Sequence, residues 1–393
     1  MTPSSDAKNM RWSHRLFEIN YYGSAPLVFS LLSSPPYLFE TYTRNIMHLF
    51  FWILCWKSLL IFCIIVQNKG DADMRYDFTQ LDRQLRLPGR IIQLFLGTFA
   101  PWKVIVANFF LKVFHLFRPV GIQKDVNWIP SSDDSRLRLC IYRLKGSSQD
   151  VPGILWMHGG GYLIGTPEQD HKYIKRLMQR KPCVIVAPDY RLAGTAPYPA
   201  ALEDCYAALQ WMKHHAPQLG IRTDQLFIGG NSAGGGLTAA LSLYARDLGE
   251  VAIAFQMPLY PMIDDRMANP SARCNNAPVW NSESNELCWK SYLGNLYSTP
   301  DVPAYAAAAR ATDFTGLPPT CTFVGTAEPF FDETVQYVKA LRRAGVKVFF
   351  RQFEGCYHAF DRMAPGSQKA KQAIHFLLEC YEYAVENFFA WQT

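Results

Sequence analysis

The chain has 393 residues, 49% hydrophobic and 18% charged, with a net charge of +6. That balance excludes a disordered or acidic solvating chain and describes a globular one. Residues 1–150 carry 18 basic and 11 acidic side chains, but the excess is scattered among apolar stretches rather than gathered into the basic stripe of a nucleic-acid binder. The ten cysteines form no CxxC pair and no Cys/His ligand spacing, so no zinc, other metal or redox motif is predicted, and they read as small buried hydrophobes. No Asn-x-Ser/Thr sequon with an allowed middle residue occurs, which withdraws one sign of a lumenal or secreted location.

In chain order, the first feature is Leu49–Val66, 18 residues with a single charge, Lys57. As a helix it is about 27 Å long, close to the hydrocarbon thickness of a bilayer. Twelve of its residues are Leu, Ile, Phe or Val. They favour insertion by about 5 kcal/mol against about 3 kcal/mol opposing it from a central Lys. A membrane anchor over 49–66 is the expectation, and a hydrophobic helix packed on the protein's own body is the alternative. Ile91–Phe117 is also apolar, but Pro101, Lys103, Lys112 and His115 interrupt it. Helices lying over a cleft or on a membrane surface suit that pattern better than a second span.

From about Arg136 the texture changes. Leu137–Leu144, Gly153–His158, Cys183–Pro188, Gln225–Gly229, Val251–Pro258, Thr320–Gly325 and Val346–Phe353 are short apolar runs bounded by Gly, Pro or Asp, and they predict strands. Leu237, Ala240, Leu241 and Tyr244 repeat at helical spacing between them, as do Ala373, Phe376, Leu377, Cys380, Ala384 and Phe388 later. Alternating strands and helices imply a mostly parallel central sheet flanked by helices, with functional groups at the carboxyl ends of the strands.

Gly230-Asn231-Ser232-Ala233-Gly234 follows a predicted strand and precedes a predicted helix. A serine on so sharp a turn needs glycines at the flanking positions, because side chains there would strike neighbouring segments. The turn exposes its hydroxyl and points the helix N-terminus at developing negative charge. A phosphate-binding turn is the competing reading, but no Lys-Ser/Thr follows. His158-Gly159-Gly160-Gly161-Tyr162 ends an earlier strand, and its glycines leave backbone N–H groups free of side-chain obstruction. With the N–H of Ala233 they form a candidate oxyanion hole. His358, late in the chain, at a strand end and after Gly355, is the candidate base. The acid belongs between serine and histidine in chain order. Glu328, nearest the end of the Thr320–Gly325 strand, is preferred over Asp332, which opens the next helix beside Glu333.

Taken together, HGGGY (158–162), DYRLA (189–193), PYPAALED (197–204), GNSAGGG (230–236), EPFFDE (328–333) and the YHAF around His358 resemble the hormone-sensitive-lipase-like family of α/β-hydrolases, the arylacetamide deacetylase and microbial esterase type. The resemblance covers residues 136–388, about two thirds of the chain. It implies the α/β-hydrolase fold and a serine carboxylic-ester hydrolase with no cofactor. It also implies Ser232 as nucleophile, His358 as base, and the N–H groups of Gly159, Gly160 and Ala233 as the oxyanion hole. A helical cap is implied from residues 1–125 and an insertion at about 262–298, on a catalytic domain of 126–393. Trp280, Trp289, Tyr292 and Tyr297 of the insertion are candidates for lining a pocket or for packing the cap. The chain departs from the family at Asn231, usually Asp, at Glu328, usually Asp, and at Gly194-Thr195-Ala196, usually Pro-Glu-His.

The expected partner is a small lipophilic ester, such as an acetylated bulky alcohol, with no nucleic acid. The expected location is membrane-associated through 49–66, in the endoplasmic reticulum if the cell is eukaryotic, with a cytoplasmic location as the alternative. A receptor-like binding protein and an acyltransferase or lactonase using the same triad are the competing functions. The oligomeric state is not legible.

Overall fold

The computed structural model describes residues 76–95, 97–113, 121–133, 135–146 and 149–392, all within one compact unit spanning Asp71–Thr393. The expected anchor Leu49–Val66 lies outside the described residues, and among them no helix is long and apolar enough to cross a membrane.

Eight strands form one sheet: β1 (Ile122–Pro130), β2 (Arg136–Leu144), β3 (Val151–Met157), β4 (Val184–Pro188), β5 (Ile221–Asn231), β6 (Phe255–Leu259), β7 (Thr320–Gly325) and β8 (Val348–Phe353). Their order is β1-β2-β4-β3-β5-β6-β7-β8, with β1, β2 and β4 joined antiparallel and every later pairing parallel. The mostly parallel sheet predicted from the alternation of elements is therefore present. The helices are α1 (Arg83–Phe95), α2 (Pro101–Val113), α3 (His171–Arg180), α4 (Ala200–His214), α5 (Ala233–Leu248), α6 (Ser282–Leu293), α7 (Phe331–Arg343) and α8 (Gln368–Asn387), together with several single turns.

Side chains alternate across a strand, and here both faces are covered, which is why the central strands read as unbroken apolar runs. Leu155, Val184, Val186, Leu226 and Ile228 point into one core shared with α4 and α5. Ile154, Trp156, Ile185, Ala187 and Phe227 point into the other, shared with α3 and α8.

Two strands differ from expectation. β1 carries Gln123, Lys124, Asp125 and Asn127 on a largely open edge strand, so it has no apolar run to announce it. The Val251–Pro258 run yields strand only from Phe255, because the chain leaving α5 at Gly249 needs several residues to reach the sheet; Val251 packs in the core, and Ala254 makes the first contact with β5, its N–H donating to Leu226 O at 2.9 Å.

The glycines after Ser232 set how closely α5 approaches the sheet. A Cβ on Gly234 would stand 2.1 Å from the Met157 carbonyl oxygen, and one on Gly236 2.2 Å from that of Met262. Gly234→Ala is expected to lower the unfolding free energy by about 3 kcal/mol or more, because backbone rather than side chain must move. Gly249 caps α5 at φ 68° with nothing within 4 Å of an added Cβ, so Gly249→Ala is expected to lose only about 1 kcal/mol, the left-handed penalty alone. Urea denaturation measures both, and equal losses would contradict the close-packing argument.

Candidate active site

The β5–α5 turn holds Ser232 at φ 58°, ψ −120°, a strained conformation for any residue but glycine. The turn is fixed on both sides: the Ser232 N–H donates to Leu259 O at 3.0 Å, and its carbonyl accepts from Gly236 N at 2.9 Å and Met262 N at 3.1 Å. The neighbouring parallel strand, β3, ends in the glycine-rich loop. A Cβ on Gly159 would lie 3.3 Å from Ser232 Cβ and 2.4 Å from Asn231 Oδ1, and one on Gly160, at φ 127°, would lie 1.9 Å from Ile164 O. Three predicted glycines thus lie where their lack of a side chain is used: Gly161, at φ 61°, faces the Trp280 ring at 2.4 Å and Cys288 Sγ at 2.7 Å from an ideal Cβ.

His158 holds the loop. It is buried, its Nδ1 donates to Gly159 O at 2.9 Å, and its ring stacks on Tyr190 with centroids 4.2 Å apart. Burial lowers its pKa and keeps it neutral. Tyr190 in turn donates its hydroxyl to His158 O at 2.7 Å, which gives the DYRLA segment a structural purpose.

β7 and β8 deliver the remaining groups. His358 Nε2 lies 2.9 Å from Ser232 Oγ, and its Nδ1 is hydrogen-bonded to Glu328 Oε2. The other Glu328 oxygen accepts from Gly325 N at 2.9 Å, so the fully buried carboxylate is held at both ends. Asp332 is elsewhere: its carboxylate accepts the Ser271 N–H at 2.8 Å. Glu333 accepts from the N–H groups of Ile263 at 2.8 Å and Asp264 at 3.3 Å, and burial pushes its carboxyl well above the usual range.

An aromatic enclosure surrounds the imidazole. Phe330, Tyr260 and Trp280 have ring centroids 5.0, 5.1 and 6.0 Å from that of His358, and Phe99, between α1 and α2, lies 5.4 Å from Trp280. Of the four aromatic residues singled out in the insertion, only Trp280 borders the histidine. Trp289 and Tyr292 are buried against Tyr162, the latter stacked at 3.9 Å, and Tyr297 is half-buried beside Lys290.

A family model described as the alpha/beta hydrolase fold matches residues 154–362. The chain belongs to the alpha/beta hydrolase family. Within it, the relatives are the hormone-sensitive-lipase-like esterases. The chain is 31% identical to Esterase LipI of Mycobacterium tuberculosis over 212 residues, 54% of this chain and 66% of that protein. It is 28% identical to an arylesterase of Saccharolobus solfataricus over 66% of this chain and 84% of that one. Among solved structures, a bacterial heroin esterase matches 78% of this chain and 99% of its own with a TM-score of 0.73 at 31% identity. Esterase LipW from Mycobacterium marinum matches 78% and 96% with a TM-score of 0.70 at 26% identity.

Sequence reasoning missed the charge cluster behind the serine turn of this alpha/beta hydrolase. Arg362 forms a short ion pair with Asp170 and donates to Asn231 Oδ1 at 3.1 Å. Asp170 also accepts from Asn231 Nδ2 at 2.9 Å and Trp156 Nε1 at 2.8 Å. An amide at 231 serves the carboxylate and the guanidinium at once, which accounts for the departure from aspartate. Arg362→Met is expected to cost about 3–5 kcal/mol, because it strands the buried Asp170 charge. Adding Asp170→Asn to that variant is expected to recover part of the loss in urea denaturation; a double variant no more stable than the single one would overturn the pairing.

Asp361 lies buried beside this cluster, and burial raises its pKa to about 7, partly offset by the Arg362 charge and by the backbone N–H groups of Asp361 and Arg362. Its folded pKa exceeds the unfolded value, so the unfolded chain releases the proton first and the group's contribution falls as pH rises from about 4 to about 7. Asp361→Asn is therefore expected to match wild type near pH 4 and to melt at a higher temperature above pH 7. A thermal melt series across that range tests the sign.

Proposed function

We propose that this chain, a carboxylic ester hydrolase by its kinship, hydrolyses a lipophilic ester through a Ser232–His358–Glu328 triad and an acyl-enzyme. The observation that carries the reading is the continuous chain of hydrogen bonds from Ser232 Oγ to His358 Nε2 at 2.9 Å and from His358 Nδ1 to Glu328. With the Nδ1 proton held by the carboxylate, Nε2 carries the lone pair that accepts the serine proton. Ser232 Oγ then bonds to the ester carbonyl carbon, and the carbonyl oxygen takes the negative charge. The N–H groups of Gly159, Gly160 and Ala233 are the donors assigned to that oxygen; removing one such donor costs about 3–4 kcal/mol of transition-state stabilisation. The imidazolium returns its proton to the leaving alcohol as the C–O bond breaks. Water repeats the addition, gives its proton to His358, and frees the acid as Ser232 is restored. Glu328 stays ionised throughout and stabilises the imidazolium. The route calls for no metal or organic cofactor.

The preference for an apolar ester is supported by the rings of Trp280, Phe330 and Tyr260 around His358. We assign α1, α2 and residues 262–298 to a cap over the cleft, because Phe99 N donates to Ser284 Oγ at 3.0 Å and Gln93 Nε2 to Asn276 O at 3.1 Å across those segments. A bulky apolar alcohol carrying a small acyl group is the substrate class this enclosure suits. Membrane association through residues 49–66 rests on their composition alone. A receptor-like binder has no use for a histidine bonded to the serine, which is why hydrolysis is preferred over binding alone.

Ser232→Ala is expected to abolish both fluorophosphonate labelling and ester hydrolysis; retained activity would remove the assignment. Glu328→Gln is expected to lower kcat by about 10³–10⁴-fold through loss of the correct imidazole tautomer. Asp332→Asn is expected to stay within a few-fold of wild type, since its carboxylate caps the Ser271 turn. The reverse ranking of these two variants, in assays of purified folded protein, would move the acid to Asp332.

A further inference from the structure

Eight of the fifteen large hydrophobic side chains exposed among the described residues lie on just two helices, α1 and α2. On α1, Leu87, Ile91 and Leu94 follow i, i+4, i+7 spacing and are 67%, 48% and 59% exposed. On α2, Ile105 and Phe109, again four apart, are 71% and 68% exposed, flanked by Trp102, Val106 and Phe110. These outward stripes are not the residues that hold the helices down. Leu85 and Gly89 pack inward on α1, and on α2 Val104 joins the core while Asn108 Nδ2 donates to Leu163 O at 2.9 Å. A soluble surface seldom displays apolar stripes of this kind without a partner.

Charge decides what the partner is. The two helices contain Arg83, Arg86, Arg90, Lys103 and Lys112 and no Asp or Glu. Arg83, Arg90 and Lys112 are exposed at the margins of the apolar stripes. An apolar face that includes a tryptophan, is bordered by cations and has no anions of its own is the pattern of a helix lying in the plane of a membrane interface. The chain outside the described residues agrees with this. Only 16 residues, 67–82, separate the 18-residue apolar stretch Leu49–Val66 from α1. Even fully extended they reach about 55 Å, so a bilayer holding that stretch keeps α1 within reach of its surface.

We propose that the outer face of α1 and α2 docks in the plane of an anionic lipid surface, with Leu87, Ile91, Leu94, Ile105 and Phe109 entering the acyl boundary and Arg83, Arg90 and Lys112 meeting lipid phosphates. This contact is separate from any anchoring by residues 49–66. Because Asn108 of α2 is hydrogen-bonded to Leu163 and accepts from Gly165 N at 3.3 Å, the docked helix is attached on its inner side to the loop that begins at His158.

The test uses the full chain with a photo-reactive p-benzoylphenylalanine replacing, one at a time, Ile105, Phe109 or the distant Trp391, which is 79% exposed. Each protein is illuminated on phosphatidylcholine vesicles made with and without phosphatidylserine. Lipid adducts are expected at 105 and 109 at about tenfold the yield at 391, and several-fold fewer when phosphatidylserine is omitted. Anchoring by residues 49–66 alone predicts no dependence on phosphatidylserine. Equal lipid labelling at all three positions, no adduct, adducts to residues 1–75, or adducts to a second copy would each overturn the proposal. Labelling at 105 and 109 that ignores phosphatidylserine would overturn the assignment to an anionic surface.

Discussion

The β5–α5 turn is the constraint on which the rest of this molecule depends. Ser232 can hold φ 58° only because the segments around it leave it no alternative. Its N–H is committed to β6 through Leu259, and its carbonyl accepts from Gly236 and Met262. Those contacts need α5 to start almost against the ends of β3 and β6. At that distance Gly230, Gly234, Gly235 and Gly236 have backbone carbonyls where a Cβ would go. One strained residue therefore fixes the composition of a whole segment. The same close approach brings Gly159 beside Ser232, so the serine and the loop assigned to oxyanion binding share a single packing solution.

Behind the turn, strain is opposed by a buried polar network instead of by apolar packing alone. Asp170 follows the glycine-rich loop, Asn231 ends β5, and Arg362 lies four residues after His358. The network therefore ties together three of the segments that converge on the candidate site. Buried charges contribute little net stability when paired, but losing one partner is expensive. That asymmetry makes the network better suited to fixing relative position than to adding stability. Asn231 is the residue that makes it work here: its amide donates to one charged group and accepts from the other. An aspartate at 231 would face Asp170 with only Arg362 between them.

These two features differ in how well they can be read from the chain. The glycine clusters are legible because a close approach demands glycine whatever the surroundings, so HGGGY and GNSAGG announce their geometry locally. Glu328 could be preferred over Asp332 because distance from a strand end is also local, and it is Glu328 that meets His358. The Asp170–Arg362 pair spans 192 positions and belongs to no repeating pattern, so nothing near either residue points to the other. β1 escaped notice because hydrophobic patterning records burial, and an edge strand has little of it. Trp280 and Trp289 illustrate a further limit. Both are buried aromatic residues of one segment, but only Trp280 borders His358, while Trp289, on α6, faces Tyr162. Which of them does so depends on how α6 sits against the core, and composition does not encode that.

Hydrogen bonding explains why a carboxylate as buried as Glu328 is tolerable. Its two oxygens are both committed, one to Gly325 N and one to the imidazole, so no charge is left without a hydrogen-bond partner. The rings of Phe330, Tyr260 and Trp280 pack around the histidine, and in such low-dielectric surroundings the proposed mechanism gains most from a carboxylate beside the imidazole. Phe99, in the short connection between α1 and α2, packs against Trp280, the ring that borders His358. The connection between the two helices that carry the exposed apolar stripes thus touches the ring beside the histidine. A side chain that alters this connection therefore alters the packing on Trp280 as well as the placement of α1 and α2.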